Sequence, residues 1–402
     1  MTELSGSAVS VTTMDSSLDE ELEGLSAAGR RRRLRRIDKK EGSIVWIDGR
    51  RLISFGSNDY LGLSQHARMI AAASLSILDW GSGSTGSRLT TGNLCPHEEL
   101  EAAIAAFKHT QSAVAFTSGY AANVGAIQAL AGEEDLILSD SLNHASLIDG
   151  CRLSRATVRV YSHNDTGHVR DLLNDRSNFR RLLMITDGVF SMDGDLARLP
   201  DLADLADECD GWLMVDDAHG TGVYGESGSG TVEHFGLLGR VPIQMGTLSK
   251  ACGSVGGFVA GSRSLVELLK NKARSFIYST ALPPAVVESA RMSLEIIASS
   301  PSLRARLNHN VKRLRTGLNI LAIDAAAGDS PIIPVIYGSE MAAISISKQL
   351  EEAGFWIPAI RPPTVPPGTS RLRITVSADH TDDQIDALLK VLGEIDKSVS
   401  SK

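Results

Sequence analysis

The sequence predicts an α/β fold: a mostly parallel central sheet with helices on both faces, followed by a smaller C-terminal α/β domain. Three observations predict it. Short apolar runs at 113–116, 136–138, 182–186, 212–215, 243–246 and 258–260 alternate with helical stretches, as parallel strands joined by helical crossovers do. The runs empty into unusually polar segments, where sheets of this kind collect their ligands. Near residue 296 the pattern changes to one long helical stretch, 303–321, and then to a smaller α/β unit.

With 402 residues and 43% hydrophobic content, the chain can bury a large core. A net charge of -8 argues against a general nucleic-acid binder, so no nucleic-acid partner is expected. No apolar run is long enough to span a membrane, and residues 1–23 are too polar for a secretory signal. Cys95, Cys151, Cys209 and Cys252 are scattered without a Cys-x-x-Cys pair, which suggests buried thiols in a reducing compartment and no metal site. A cytoplasmic protein is expected.

Taken in order, the chain divides into an N-terminal arm with helix and hairpin (1–59), a large domain (60–296) and a small domain (297–402). Residues 1–28, rich in Ser, Thr and Glu, are expected to be poorly ordered at their extreme end. The run Arg30 to Arg36 reads first as a solvated helix face and only second as a clamp for an anionic substrate. Asp48-Gly49 between 44–47 and 52–53 predicts a hairpin. Residues 81–92 are too rich in Gly and Ser for a helix and predict an ordered loop near a substrate or an interface.

Pro96, with Glu98, Glu99 and Glu101 after it, signals a helix start. In the small domain, strands are expected at 331–336, 355–360 and 371–376, then a helix opened by a capping box from Thr381 to Gln384. The proline-rich stretch 361–369 must be a rigid loop, and Arg361 at its start can be aimed at the large domain.

The candidate chemistry lies after the strands. Ser118-Gly119-Tyr120 opens a helix and can offer free backbone N–H groups to a phosphate. His144, Asp187, Asp216, His219 and Lys250 follow the later runs. Taken singly, each has an ordinary structural role: His144 at a helix start, Asp216 as a cap, His219 in a packed loop, Lys250 on the surface. Together, an acid, a histidine and a lysine leaving successive strands suggest pyridoxal 5'-phosphate (PLP). That cofactor needs a lysine amine for its aldehyde, an anion beside its pyridine nitrogen, and groups that hold its ring and phosphate.

Six segments, in order, closely resemble the α-oxoamine synthases, PLP enzymes of fold type I: Ser57-Asn58-Asp59-Tyr60-Leu61-Gly62, Ser118-Gly119-Tyr120-Ala121-Ala122-Asn123, Asn143-His144-Ala145-Ser146, Gly188-Val189-Phe190-Ser191-Met192-Asp193-Gly194, Asp216-Asp217-Ala218-His219-Gly220 and Thr247-Leu248-Ser249-Lys250. The resemblance spans roughly residues 30 to 395. Ser249 departs from the glycine of many members, and Asp187 from the glutamate of some.

By this resemblance Lys250 would carry the cofactor, Asp216 would pair with the pyridine nitrogen, His144 would stack on the ring and His219 would hold its hydroxyl. Ser118, Gly119, Tyr120, Ser191 and Thr247 would complete the cofactor site, with Thr280 reaching it from the partner subunit of a homodimer. Asn58, Arg361 and Thr364 would bind substrate, Arg361 through its carboxylate, and Arg32 would meet the acyl end. Residues 359–373 look most like the branch that joins L-alanine to a pimeloyl thioester with loss of CO2. Glycine C-acetyltransferase, 5-aminolevulinate synthase and serine palmitoyltransferase types stay open as alternatives. A binding subunit without turnover also stays open, although Lys250 is present.

Overall fold

The computed structural model describes residues 11–325 and 328–400. Val11–Ala27 is a helix lying in solvent, while the expectation for residues 1–10 falls outside the described residues. The turn after the helix contains Gly29, whose φ of 64° is left-handed, and residues 30–38 continue without helix. The solvated helix face expected for the arginine run is therefore corrected. Arginines packed this densely would repel one another at helical i, i+3 and i, i+4 spacing. In the irregular arm, Arg35 instead reaches Glu351 at 3.0 Å and Asp48 at 3.1 Å.

Strands β1 (Lys39–Glu41), β2 (Ile44–Ile47) and β3 (Arg50–Ser54) form an antiparallel sheet. The hairpin turn between the last two has Asp48 and Gly49 at φ 51° and 74°, the pair of left-handed residues that a type I' turn requires.

The central sheet contains β4 (Ser112–Phe116), β5 (Leu136–Asp140), β6 (Thr157–Tyr161), β7 (Leu182–Asp187), β8 (Trp212–Asp216), β9 (Ile243–Thr247) and β10 (Gly257–Gly261). Their order is β4-β10-β9-β8-β7-β5-β6, with only β10 antiparallel to its neighbours. Strand β6 was not expected from the sequence. It lies at the sheet edge, and Thr157, Val158 and Val160 are exposed, so it lacks the continuous apolar run of a buried strand.

Burial on both faces explains those runs. Leu136, Leu138, Leu182, Met184, Leu213 and Val215 point into one apolar cluster. The alternate residues Ile137, Leu183, Ile185 and Met214 point into another. Side chains alternate across a strand, so each of these strands needs an apolar residue at nearly every position. Each such Leu or Ile contributes about 1.5–3 kcal/mol by leaving water.

The small domain holds β11 (Ile332–Gly338), β12 (Phe355–Trp356), β13 (Ala359–Ile360) and β14 (Ser370–Thr375). The single strand expected over 355–360 is split. Pro358 has no N–H to donate and breaks the ladder, so β12 joins β3 of the N-terminal sheet while β13 pairs with β14. The final helix, Asp382–Ser400, opens with the capping box the sequence signals: Gln384 N donates to Thr381 Oγ1, and Thr381 N to Gln384 Oε1. The helix Pro284–Ser299 runs across position 296, where the pattern of the chain changes.

The four cysteines are free. Cys95, expected to be buried, is exposed because it opens helix Cys95–Phe107 on its outer side, where its thiol meets Glu99. Among the described residues no helix is long and apolar enough to cross a membrane, and no group of three or more His, Cys, Asp or Glu could hold a metal ion.

Candidate active site

Strands β4, β5, β7, β8 and β9 share one direction, so the segments after them lie along one edge of the sheet. After β9, Lys250 Nζ lies 2.7 Å from His219 Nε2, which follows β8. Burial, against the pull of Asp216 and Asp187, lowers the lysine to about 8. Such an amine is deprotonated far more often near neutral pH than an ordinary lysine, as a nucleophile or base needs. His219 is held well below the usual imidazole range by burial, then by the charges of Lys250 and Arg373, so it is neutral.

Asp216 ends β8 and is buried. Its Oδ2 accepts from Asn123 Nδ2 at 2.6 Å and its Oδ1 from Ala218 N at 2.9 Å. Asn123 also donates to Ser146, whose hydroxyl lies 2.7 Å from His144 Nδ1. One network therefore ties the helix after β4, the helix after β5 and the end of β8. The His144 backbone N–H donates to Asp187 at 2.7 Å. Burial first, and Asp216 second, push the Asp187 carboxyl well above its ordinary value.

Helix Gly119–Leu130 begins at the end of β4, capped by Ser118, whose Oγ accepts from Ala121 N at 3.1 Å. The N–H groups of the first turn have no intrahelical acceptor, so they form an anion-binding end. A β-carbon on Gly119 would come within 3.1 Å of Met245 and 3.5 Å of Thr247, so a larger residue would close the space between the helix end and Thr247. Thr247 Oγ1 is 2.7 Å from Ser249 Oγ and donates to the Gly256 carbonyl at 2.8 Å. An anion-binding helix end, a buried carboxylate and a lysine of lowered pKa on one sheet edge are the set of groups that PLP requires.

Tyr120 points outward, its hydroxyl donating to Asp149. Thr280 is exposed and bridges to Ser87, which places it on the surface formed by the Gly/Ser loop. That loop is held by Ser84 Oγ donating to the Leu282 carbonyl and by a buried Arg88–Glu101 pair at 2.8 Å.

Arg32 donates to Thr364 Oγ1 at 3.1 Å, and Arg361 donates to the Gly29 carbonyl at 2.7 Å. The structure thus brings Arg32, Arg361 and Thr364 together, with the N-terminal arm against the proline-rich loop. The guanidinium whose charge reaches Lys250 and His219 belongs to Arg373 on β14. It is 6% exposed and donates to Asn58 Oδ1 at 3.1 Å and to the Ser191 carbonyl. Arg373, Asn123 and Tyr60, whose hydroxyl lies 2.6 Å from His219 Nδ1, have no role assigned by sequence reasoning. Alternation of Arg371 and Arg373 with Ser370, Leu372 and Ile374 places the two arginines on one face, which is the hint of Arg373 in the sequence.

The aminotransferase class I and II family model matches residues 50–392. A "Putative 8-amino-7-oxononanoate synthase" of Nostoc sp. is 50% identical over 363 residues, 90% of this chain and 94% of that protein. The "8-amino-7-oxononanoate synthase 2" of Bacillus subtilis is 45% identical over 386 residues, 96% of this chain and 99% of its own. A solved serine palmitoyltransferase from S. paucimobilis, bearing PLP with myriocin, superposes with a TM-score of 0.92 at 30% identity and covers 98% of this chain and 100% of its own.

Proposed function

The chain belongs to the class I and II aminotransferase family, among its α-oxoamine synthases, and from that membership we propose that it condenses L-alanine with a pimeloyl thioester, releasing CO2 and the thiol carrier, to give 8-amino-7-oxononanoate for biotin synthesis. It is a PLP-dependent acyltransferase. The observation that carries the reading is the convergence of Lys250, His219, Asp216 and Asp187 at the ends of consecutive parallel strands.

When bound, PLP supplies an electron sink for the carbanion left at the amino acid's α-carbon. Lys250 would hold the cofactor through Nζ until the amino group of alanine takes its place there, and the amine so freed, its pKa lowered to about 8, would move the α-proton of alanine. Asp216, fixed by Asn123 and the Ala218 N–H, keeps a proton on the pyridine nitrogen. Ser118, Gly119, Tyr120 and Thr247 hold the phosphate end, Ser191 and His219 the ring hydroxyl side, and His144 the ring face. Buried Arg373 and half-buried Asn58, hydrogen-bonded to each other, orient the alanine carboxylate, a role that the resemblance implies for Arg361. Arg361, Thr364 and Arg32 then line the acyl side of the site, where the arm meets the proline-rich loop.

The enzyme acts as a cytoplasmic homodimer with Thr280 completing the partner's phosphate site. Free cysteines support the compartment, and the exposed Ile70, Leu78 and Trp80 of helix Ala67–Trp80, with exposed Tyr278, support a second copy.

Mass spectrometry of products from a panel of amino acids and acyl thioesters tests the assignment. L-alanine with pimeloyl-CoA gives the fastest pair and 8-amino-7-oxononanoate as product. If glycine with acetyl-CoA is faster, the biotin-pathway assignment falls and family membership stands.

A further inference from the structure

Between the catalytic lysine and the small domain runs a chain of four polar contacts. Lys250 Nζ meets His219 Nε2 at 2.7 Å, and His219 Nδ1 meets the Tyr60 hydroxyl at 2.6 Å. Tyr60 meets Asn58 Oδ1 at 3.2 Å, and Arg373 Nη1 meets the same oxygen at 3.1 Å. Tyr60 is fully buried.

The direction of the chain follows from which atoms carry protons. Arginine can only donate, so the Asn58 atom facing it is the carbonyl oxygen and not the amide nitrogen. A carbonyl oxygen only accepts, so the Tyr60 proton must lie towards Asn58. Were it directed at His219, the two oxygens would face each other with no proton between them. Tyr60 must then accept from His219, which puts the imidazole proton on Nδ1 and leaves Nε2 as a bare acceptor towards Lys250.

We propose that Tyr60 is a positioning residue for the catalytic lysine: held by Asn58 and Arg373, its hydroxyl locks His219 in the Nδ1-protonated tautomer and so presents an acceptor to the Lys250 amine. The inference rests on Lys250 being the reactive amine, as proposed above. An acceptor favours the ammonium form, which can only donate. A donor at Nε2 would favour the neutral amine, which has a lone pair to offer. Tyr60 therefore holds the lysine pKa higher than burial alone would leave it. The other charged groups acting on the lysine are Asp216 and Asp187, which raise it, and Arg373, which lowers it; His219 itself also feels His144.

Competitive labelling of the cofactor-free full chain with acetic anhydride, read by peptide mass spectrometry across pH, gives the midpoint of Lys250 directly. In Tyr60→Phe the lock is lost, the midpoint moves down, and reactivity at pH 7 rises about three- to tenfold, the equivalent of one hydrogen bond. A role in packing alone predicts the reverse, since a loosened, wetter site moves the lysine up towards its ordinary value of about 10.4. An unchanged or raised midpoint overturns the proposal. Nitrogen-15 NMR of histidine-labelled wild-type chain, with His219→Asn to assign the signal, tests the tautomer without the Tyr60 variant. Protonation at Nδ1 supports the lock and protonation at Nε2 overturns it. Failure of Lys250 to take up PLP would instead overturn the functional assignment.

Discussion

Asn123 Nδ2 donates to Asp216 Oδ2 at 2.6 Å, so the helix that follows β4 steadies the carboxylate at the end of β8. Asp216 keeps one further bond, from Ala218 N. Replacing Asn123 by Ala removes a hydrogen bond to a charged group, worth about 1.5–3 kcal/mol. PLP uptake should survive while kcat falls roughly 10- to 100-fold. Steady-state kinetics of the reconstituted variant decide it, and a full kcat would detach Asn123 from catalysis.

Arg373 and Arg361 offer rival carboxylate clamps. Arg373 is buried beside Asn58 and its charge reaches Lys250, whereas Arg361 is engaged by the Gly29 carbonyl. Lysine keeps the charge but loses the planar fork. Arg373→Lys should therefore raise the KM for L-alanine by about 10-fold or more and leave that for pimeloyl-CoA nearly unchanged. Arg361→Lys should have the smaller effect on alanine. The opposite ranking would return the clamp to Arg361.

Next to Asp216, Asp217 and Lys108 form a fully buried ion pair at 2.9 Å. Asp217 also accepts from Thr231 N and Oγ1. Asp217→Asn strands the ammonium in the core and should destabilise the fold by about 3–5 kcal/mol in urea unfolding. Adding Lys108→Met to that variant should recover part of the loss, because no charge is then left unpaired. A single variant as stable as wild type would show that water reaches Lys108.

His163 bridges Asp140 at 3.0 Å and Asp195 at 2.8 Å, tying the loop that carries Ser191 to the end of β5. Burial opposes its charge, but the two carboxylates prevail and push it up to about 10. A pKa raised by folding stabilises fully below the unfolded value near 6.5 and is lost as pH climbs through the folded one. The stability difference between wild type and His163→Gln should therefore be largest at pH 6 and shrink steadily towards pH 10. Parallel denaturation curves at the two pH values would contradict it.

The parallel sheet was legible because its strands are buried on both faces and read as unbroken apolar runs. The edge strand β6 was not, since three of its five residues face water. Pro358, which splits the expected strand, is visible in the sequence, but the partner that β12 finds in β3 is some 300 residues earlier, at Ile53 and Ser54. The site divides in the same way. Lys250, Asp216, His219 and His144 stand in local motifs at strand ends. Arg373 and Asn58 meet across 315 residues, and the hydroxyl of Tyr60 acquires its role only when His219 is folded against it. Spacing along the chain cannot report such meetings.

The central claim is that Lys250 is the amine that takes the cofactor. Borohydride reduction of the PLP-loaded protein, followed by peptide mass spectrometry, tests it most directly. The yellow protein should bleach, and the pyridoxyl mass should sit on the peptide containing Lys250 alone. A colourless protein after reconstitution, or a label on another lysine, would contradict the assignment.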